Sequence, residues 1–217
     1  MPRKYERPRL TARDQELIKW VAEQQVVRFD TLLEVVKLKF NPISKSDLYA
    51  LCDRWYRMGY VRKERLIGSA PMIIWATRLA IRLSELPLNE MEKFGKPNFT
   101  TLHHNCSVSV VRLEYEKNGY KWICERRLRH EFSFNHLPDG IAENDEFRII
   151  VEVDISQKES RRLQDIMTMN AQIKGATCVD YWTNNTIYPV VLSNAKQITR
   201  GLSERVRVFK LPAVVNS

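Results

Sequence analysis

Apolar residues recur at helical spacing three times in the first sixty positions. Thr11 reads as an N-cap with Asp14 three residues on, and Leu17, Ile18, Trp20 and Val21 form the first stripe. Asp30 reads as the cap of a second helix carrying Leu32, Leu33, Val35 and Val36, and Asn41-Pro42 breaks the chain after it. A third helix, starting at Ser44 or Ser46, is expected to bury Leu48, Leu51, Trp55 and Met58. Its expected exposed positions are Lys45, Ser46, Tyr49, Asp53, Arg54 and Arg57. The period then shortens to two. Residues 61–67 read as a strand with Arg62, Lys63 and Arg65 as polar members, Gly68-Ser69-Ala70-Pro71 as a turn, and 72–76 as an apolar strand. Residues 78–86 predict one more short helix packing Leu79, Leu83 and Leu86.

Pro87, Gly95 and Pro97 punctuate a linker, after which the pattern changes. Residues 101–117 predict a helix with Val108, Val111, Leu113 and Tyr115 on its apolar side. Strands are expected at 121–126 and 132–134, and Pro138-Asp139-Gly140 as a turn or strand edge. The strongest strand signal is 147–155, where Ile149, Val151, Val153 and Ile155 share one face and Ile150, Glu152 and Asp154 the other. Ser156 with Glu159 suggests a capping box opening a helix that runs to about 173. Strands at 179–183 and 189–192 and a closing helix at 194–203 complete the reading. The expected organisation is a first domain over 1–86, a linker over 87–98, and a second domain over 99–217. The second has a mixed sheet flanked by helices, which makes the fold class α+β or α/β.

In the first domain the order of three helices, basic strand, turn and apolar strand predicts a winged helix-turn-helix, with duplex DNA as the leading partner. The N-terminal half of the third helix would enter the major groove, making Lys45, Ser46 and Tyr49 the first contact candidates and Arg57 a further one. Arg62, Lys63 and Arg65 on the hairpin would grip the sugar-phosphate backbone. Arg3, Lys4, Arg7 and Arg9 could form an arm along a groove. The alternative for every one of these positions is an ordinary solvated face. Charge supports the first reading: residues 1–98 carry 19 basic and 12 acidic side chains, against 16 and 14 in the remainder. Winged helices often meet paired half-sites, so a small homo-oligomer is expected, with the helix at 101–117 as a possible dimer element. The chain has no apolar run of the length that crosses a bilayer and no signal-peptide core near Met1, so a cytoplasmic location is expected.

The second domain holds the candidate chemistry. Glu152 and Asp154 point the same way on one strand, about 7 Å apart, and Asp139 could join them. Three carboxylates make a hard oxygen site suited to Mg²⁺ or Mn²⁺, which would polarise a phosphodiester. DNA binding by the first domain would require no cofactor. The alternative is structural: Asp139-Gly140 is a common turn, and the acidic pair could meet Arg161 or Arg162. His103 and His104 beside Asn105 could touch this site; His130 and His136 read as structural. Cys52, Cys106, Cys124 and Cys178 are scattered, without zinc-site spacing, and read as buried thiols. Trp75, Trp122 and Trp182 lie in apolar strand patterns and read as core.

Pro138-Asp139 followed by Glu152-Val153-Asp154 resembles the PD-(D/E)xK nuclease pattern, with one departure: Asp154 stands where that pattern has lysine. Lys158, in the first turn of the following helix, could migrate into the lysine's role. The resemblance therefore implies a nuclease-like domain whose site is altered and catalytically silent. A metal-dependent endonuclease using Asp139, Glu152, Asp154 and Lys158 is the alternative. Taken in order, residues 10–14, 51–61, Trp75-Ala76-Thr77, His103-His104-Asn105, Pro138-Asp139-Gly140 and Val151-Glu152-Val153-Asp154 resemble the replication-relaxation family of plasmids, conjugative elements and phages. That likeness implies a DNA-binding accessory in replication, mobilisation or transcription control of a mobile element. A further possibility is an adaptor docking a relaxase or replication initiator. The chain has no Walker-type phosphate loop, and no tyrosine with a histidine triad as in a relaxase.

Overall fold

A computed structural model describes residues 9–65, 71–86, 97–131 and 136–212. The positions expected as a basic arm (Arg3, Lys4, Arg7), the Gly68-Ser69-Ala70 turn, the linker over 87–96 and the strand at 132–134 lie outside the described residues. The chain forms two compact units, 1–97 and 98–217, each with its own sheet, and is mixed α and β throughout.

In the first unit α1 (Ala12–Gln24) starts where Thr11 and Asp14 close a capping box: the Asp14 N–H donates to Thr11 Oγ1 at 3.2 Å and the Thr11 N–H to Asp14 Oδ2 at 2.8 Å. A short strand β1 (Val26–Arg28) follows that the pattern did not announce, and α2 (Phe29–Lys39) begins directly from it. Arg28, not Asp30, is its N-cap; Asp30 sits in the first turn, bound by Arg28 at 2.6 Å. The third helix, α3 (Lys45–Arg57), starts at a second capping box made by Ser44 and Asp47. It buries Leu48, Leu51, Cys52 and Trp55, while Met58 is only half-buried at its C-cap. Gly59 takes φ 82°, the left-handed conformation that turns the chain out of α3 into β2 (Val61–Glu64). β3 (Ile73–Ala76) is the centre of an antiparallel sheet with order β1-β3-β2. Thr77 then caps α4 (Arg78–Ser84), and its hydroxyl donates to the Gly59 and Tyr60 carbonyls, clasping the turn after α3. Leu79, expected in the core, is exposed; Ala80, Ile81 and Leu86 are buried, and Leu83 is half-buried.

Asp14 ties this unit together. Its carboxylate, fully removed from water, accepts from Arg54 Nη2 at 2.5 Å and from Trp55 Nε1 at 2.9 Å, so α3 is locked to the first turn of α1. Arg54, expected on the open face, is turned inward by this contact. Burial pushes the carboxyl pKa up, but the Thr11, Trp55 and Arg54 donors outweigh it and hold it below the usual range.

In the second unit α5 (Phe99–Lys117) packs on a five-stranded sheet with order β4-β5-β6-β7-β8. β4 (Lys121–Cys124), β5 (Gly140–Glu143) and β6 (Arg148–Asp154) form an antiparallel meander; β7 (Cys178–Thr183) and β8 (Val206–Lys210) continue it in parallel. The strand expected over 121–126 ends at Cys124, and α6 (Glu125–Glu131) takes over. α7 (Ser160–Ala171) opens after Glu159 with no side-chain cap, so the Ser156 capping box does not form. Residues 189–192, expected as a strand, are the first turns of α8 (Tyr188–Gln197), where Pro189 sits at the one end of a helix that needs no N–H from it. The expected closing helix stops at Gln197, gives way to a 3-10 turn (Arg200–Arg205), and is followed by the unanticipated β8.

Both faces of β6 are covered. Ile150 joins Leu163, Met167, Val179, Tyr181 and Val191 in a core under α7 and α8. On the other face the Tyr115 hydroxyl donates to Asp180, which Arg207 also grips with two hydrogen bonds of 2.7 and 2.8 Å. Core packing therefore accounts for the apolar positions of α5. All four cysteines are buried thiols, and none is in a disulfide. Among the described residues no helix is long and apolar enough to cross a membrane.

Replacing Asp14 with alanine removes the acceptor shared by Thr11, Arg54 and Trp55, and should destabilise the first unit by about 3 kcal/mol. A lowered denaturation midpoint in urea at unchanged slope measures this; a midpoint within experimental scatter of wild type would show that the contact is not what holds α3.

Candidate functional site

Two clusters carry the candidate chemistry, one in each unit. In the first, Lys45 and Ser46 are exposed in the opening turn of α3, whose start is fixed by the Ser44–Asp47 capping box. Tyr49 is half-buried: its ring stacks on Phe29 at 4.2 Å and its hydroxyl accepts from Arg65 Nη2 at 3.1 Å. Lys63 is ion-paired with Asp53, which straps β2 to α3. Arg62 is exposed and lies 5.6 Å from the Tyr56 ring centroid, on the face of β2 beside the helix. Arg57 is exposed near the C-terminal end of α3, its Nε 3.4 Å from the Asp53 carbonyl oxygen. The seven side chains thus divide. Lys63, Arg65 and Tyr49 fasten strand to helix, and Lys45, Ser46, Arg57 and Arg62 are exposed, with Ser46 Oγ 2.7 Å from Ser44 Oγ.

The second cluster lies at the C-terminal end of β6. Glu152 and Asp154 share the sheet face under α7, and Asp139 reaches them from the residue before β5. The next residue, Gly140, packs against the Trp122 ring, where a Cβ would overlap it. Each carboxylate has its own cationic partner. Asp139 Oδ2 accepts from the Val153 N–H at 2.7 Å and stands 3.3 Å from His104 Nε2. Glu152 Oε1 is 2.9 Å from His136 Nε2 and accepts from Asn170 Nδ2 at 2.9 Å. Lys158 Nζ is 2.9 Å from Asp154 Oδ2, but the angles miss hydrogen-bond geometry, so charge alone holds that buried oxygen.

These pairings shift the acid–base behaviour of the site. Burial alone would lower the His104 pKa, but the hydrogen bond and charge of Asp139 outweigh it and raise it to about 9. The hydrogen bond to Glu152 raises His136 against the opposing effect of burial. Glu152 itself is pushed up by burial and by the Asp139 charge, against the donors of His136 and Asn170. Tyr181, beside Glu152 in register on β7, is kept neutral by burial and by the same negative charges.

The structure therefore brings Asp139, Glu152, Asp154 and Lys158 to one end of one strand. It adds His104, His136, Asn170 and Tyr181. His104 makes the contact expected of the His103-His104-Asn105 segment, and His136, expected to be structural, makes one as well. Asn170 joins them unannounced. Its signal was present, since it holds the fourth position of the stripe Leu163, Ile166, Met167, Asn170, where helical spacing demands an apolar side chain. One oxygen of each carboxylate is engaged in this way, Asp139 Oδ2, Glu152 Oε1 and Asp154 Oδ2, giving three carboxylate–cation couples.

No protein-family model, curated protein or solved structure matches the chain.

An imidazole with a raised folded pKa stabilises the fold fully below its unfolded value of 6.5, and that stabilisation is lost as pH rises through about 9. The melting temperature of the second unit should therefore fall by about 3–6 °C between these limits. His104→Asn should flatten that slope; an equal slope in the variant would assign the pH dependence to another group.

Proposed function

We propose that this chain is a duplex-DNA-binding protein whose first unit is a winged helix-turn-helix. We further propose that it acts as an accessory or regulator in replication, mobilisation or transcription of a mobile genetic element. One observation carries the DNA reading: the open, capped start of α3 with Lys45 and Ser46 stands on the same small unit as the basic strand β2, which is strapped to that helix. A helix presented N-terminus first, beside a hairpin strand of fixed position, has the form needed to enter a major groove while basic side chains meet the flanking phosphates. The straps matter because a pre-positioned strand has less conformational freedom to lose on binding. Serine and lysine contact bases or phosphates alike, so the residues dictate binding without dictating a target sequence.

The nuclease-like reading of the second unit rests on Asp139, Glu152, Asp154 and Lys158 meeting at the carboxyl end of a parallel strand, the end at which α/β sheets hold their ligands. Lys158 standing against Asp154 favours its being the displaced lysine of that pattern. The engagement of the carboxylates by His104, His136 and Asn170 favours the silent form, and no hydrolytic step is assigned to them.

Lys45→Ala combined with Arg62→Ala should weaken duplex binding, and the slope of log affinity against log salt should fall by about 2 if each meets one phosphate. Anisotropy at several salt concentrations reads both; unchanged affinity would remove α3 and β2 as the contact surface. Supercoiled DNA incubated with the protein and Mn²⁺ should shift in mobility and remain intact. Metal-dependent nicks that disappear in Asp139→Ala would replace the binding reading of the second unit with an endonuclease.

A further inference from the structure

The sheet of the second unit is covered unequally on its two faces. α5 packs on β4, β5 and β6, whereas α8 packs on β7 and β8 from the opposite face. Alternation along β8 turns Val206 and Val208 toward the core under α7 and α8, and Arg207 and Phe209 toward the α5 side. On β7, Val179 and Tyr181 join the same core, and Asp180 and Trp182 take the α5 side. Past the strands on which α5 packs, that face therefore carries a strip of Trp182, Arg207 and Phe209. Trp182, expected in the core, is half-buried, as is Phe209, and Arg207 is exposed.

These side chains form one row. The Trp182 and Phe209 rings stack with centroids 5.0 Å apart and planes 26° from parallel, at paired positions of β7 and β8. The Arg207 guanidinium lies over the Phe209 ring, 5.7 Å from its centroid. Both ends of the row are held from beneath. Trp182 Nε1 donates to the Tyr115 hydroxyl at 3.2 Å, and that hydroxyl donates to Asp180. Arg207 commits Nε and Nη2 to the two oxygens of Asp180, at 2.7 and 2.8 Å. Its Nη1 has no hydrogen-bond partner among the described residues, so it remains a donor of fixed direction. The Arg207 side chain is 48% exposed, and Asp180 beneath it only 2%. Charge along this edge is one-sided: residues 196–210 carry Lys196, Arg200, Arg205, Arg207 and Lys210 against a single acid, Glu204.

A fixed row of flat π surfaces beside an oriented guanidinium matches one ligand chemistry on both counts. An unpaired nucleobase stacks on aromatic and guanidinium planes alike, and its phosphate accepts from arginine. A base inside a duplex hides its faces in the stack, and an acidic peptide brings charge without flat rings. We infer that Trp182, Phe209 and Arg207 form a binding strip for single-stranded nucleic acid, with bases stacked against the row and a phosphate on Arg207 Nη1. Stacking reads no base edges, so the strip selects unpaired strands without selecting a sequence. It belongs to the second unit alone, and its chemistry requires neither duplex binding by the first unit nor the carboxylates of β6.

The test uses the full chain and the anisotropy of labelled oligothymidylate and oligouridylate of about twelve nucleotides. A mixed-sequence duplex and inorganic polyphosphate, a polyanion without bases, serve as comparison probes. Phe209→Leu keeps the apolar volume and removes the ring; it should weaken both single strands about tenfold and leave duplex affinity unchanged. Arg207→Lys keeps a charge for Asp180 and should also weaken them. Tryptophan emission should be quenched by the single strands and not by polyphosphate, and the quench should shrink in Trp182→Phe. The ratio of the two single-strand affinities tells whether DNA or RNA is the source, and either supports the strip. Equal single-strand affinity in wild type and Phe209→Leu would overturn it, whatever the duplex does. Loss of duplex binding alone, with these single-strand effects intact, would remove the first-unit reading and keep the strip. Equal quenching by polyphosphate would reduce the strip to an anion contact. A dimer that Phe209→Leu dissolves, with no single-strand binding, would make it a contact between copies of the chain. Should Phe209→Leu fail to fold, Trp182→Phe still decides, because that variant keeps a ring in the row while removing the emission that stacking quenches.

Discussion

Asp14 lies wholly out of water at the start of α1 and is tolerated there only because Thr11, Arg54 and Trp55 turn their donors onto it. A carboxylate in a dry interior costs several kcal/mol unless the fold answers it with charge and hydrogen bonds. The same constraint governs the second unit, where Asp180 is answered by Arg207 and Tyr115, and Glu152 by His136 and Asn170. In each case the partners come from distant segments. Satisfying the acid therefore fixes which elements lie side by side, and the apolar core fills the space so defined. The buried acids set register, and the hydrophobic residues supply the driving force.

This division explains how the proposed DNA face keeps its shape. With α3 anchored to α1 through Arg54 and Trp55, its opposite side is free to carry Lys45 and Ser46 without structural duty. The strap from Lys63 to Asp53 and the contact from Arg65 to Tyr49 commit four polar side chains to holding the strand to the helix. In the proposed DNA reading those residues act through the position of their neighbours, and the salt-sensitive contribution is left to the exposed cations around them.

In the second unit the same logic produces a reactive-looking site with an unexpected surface. Three acids at one end of β6 resemble a metal-binding set when their sequence is read alone. The structure matches each with a cation: the deepest group, Asp154, with Lys158, and the other two with histidines whose rings reach solvent. Carboxylates in this role tune and orient cations, much as the second ligand layer tunes a metal.

The sequence by itself determined the helices and strands with strong periodicity. α1 and α3 were legible because a capping box marks each start and an apolar stripe follows, and β6 because alternation ran over seven residues. Local chemistry also placed Glu152 and Asp154 together, since strand geometry constrains i and i+2 directly; Asp139 joins them through the pairing of β5 with β6. Only tertiary structure decided the rest. β1 and β8 are strands because neighbouring strands offer them a ladder, and their few residues carry no pattern strong enough to announce it. Residues 189–192 look β-like by composition yet open α8, because core contacts of Val191 outweigh a propensity difference below one kcal/mol. His104 was expected near the site, but which acid each partner meets was hidden, for a physical reason. His104, His136 and Asn170 meet the carboxylates across 35, 16 and 18 positions of chain, and only the folded path brings such separations to hydrogen-bond distance.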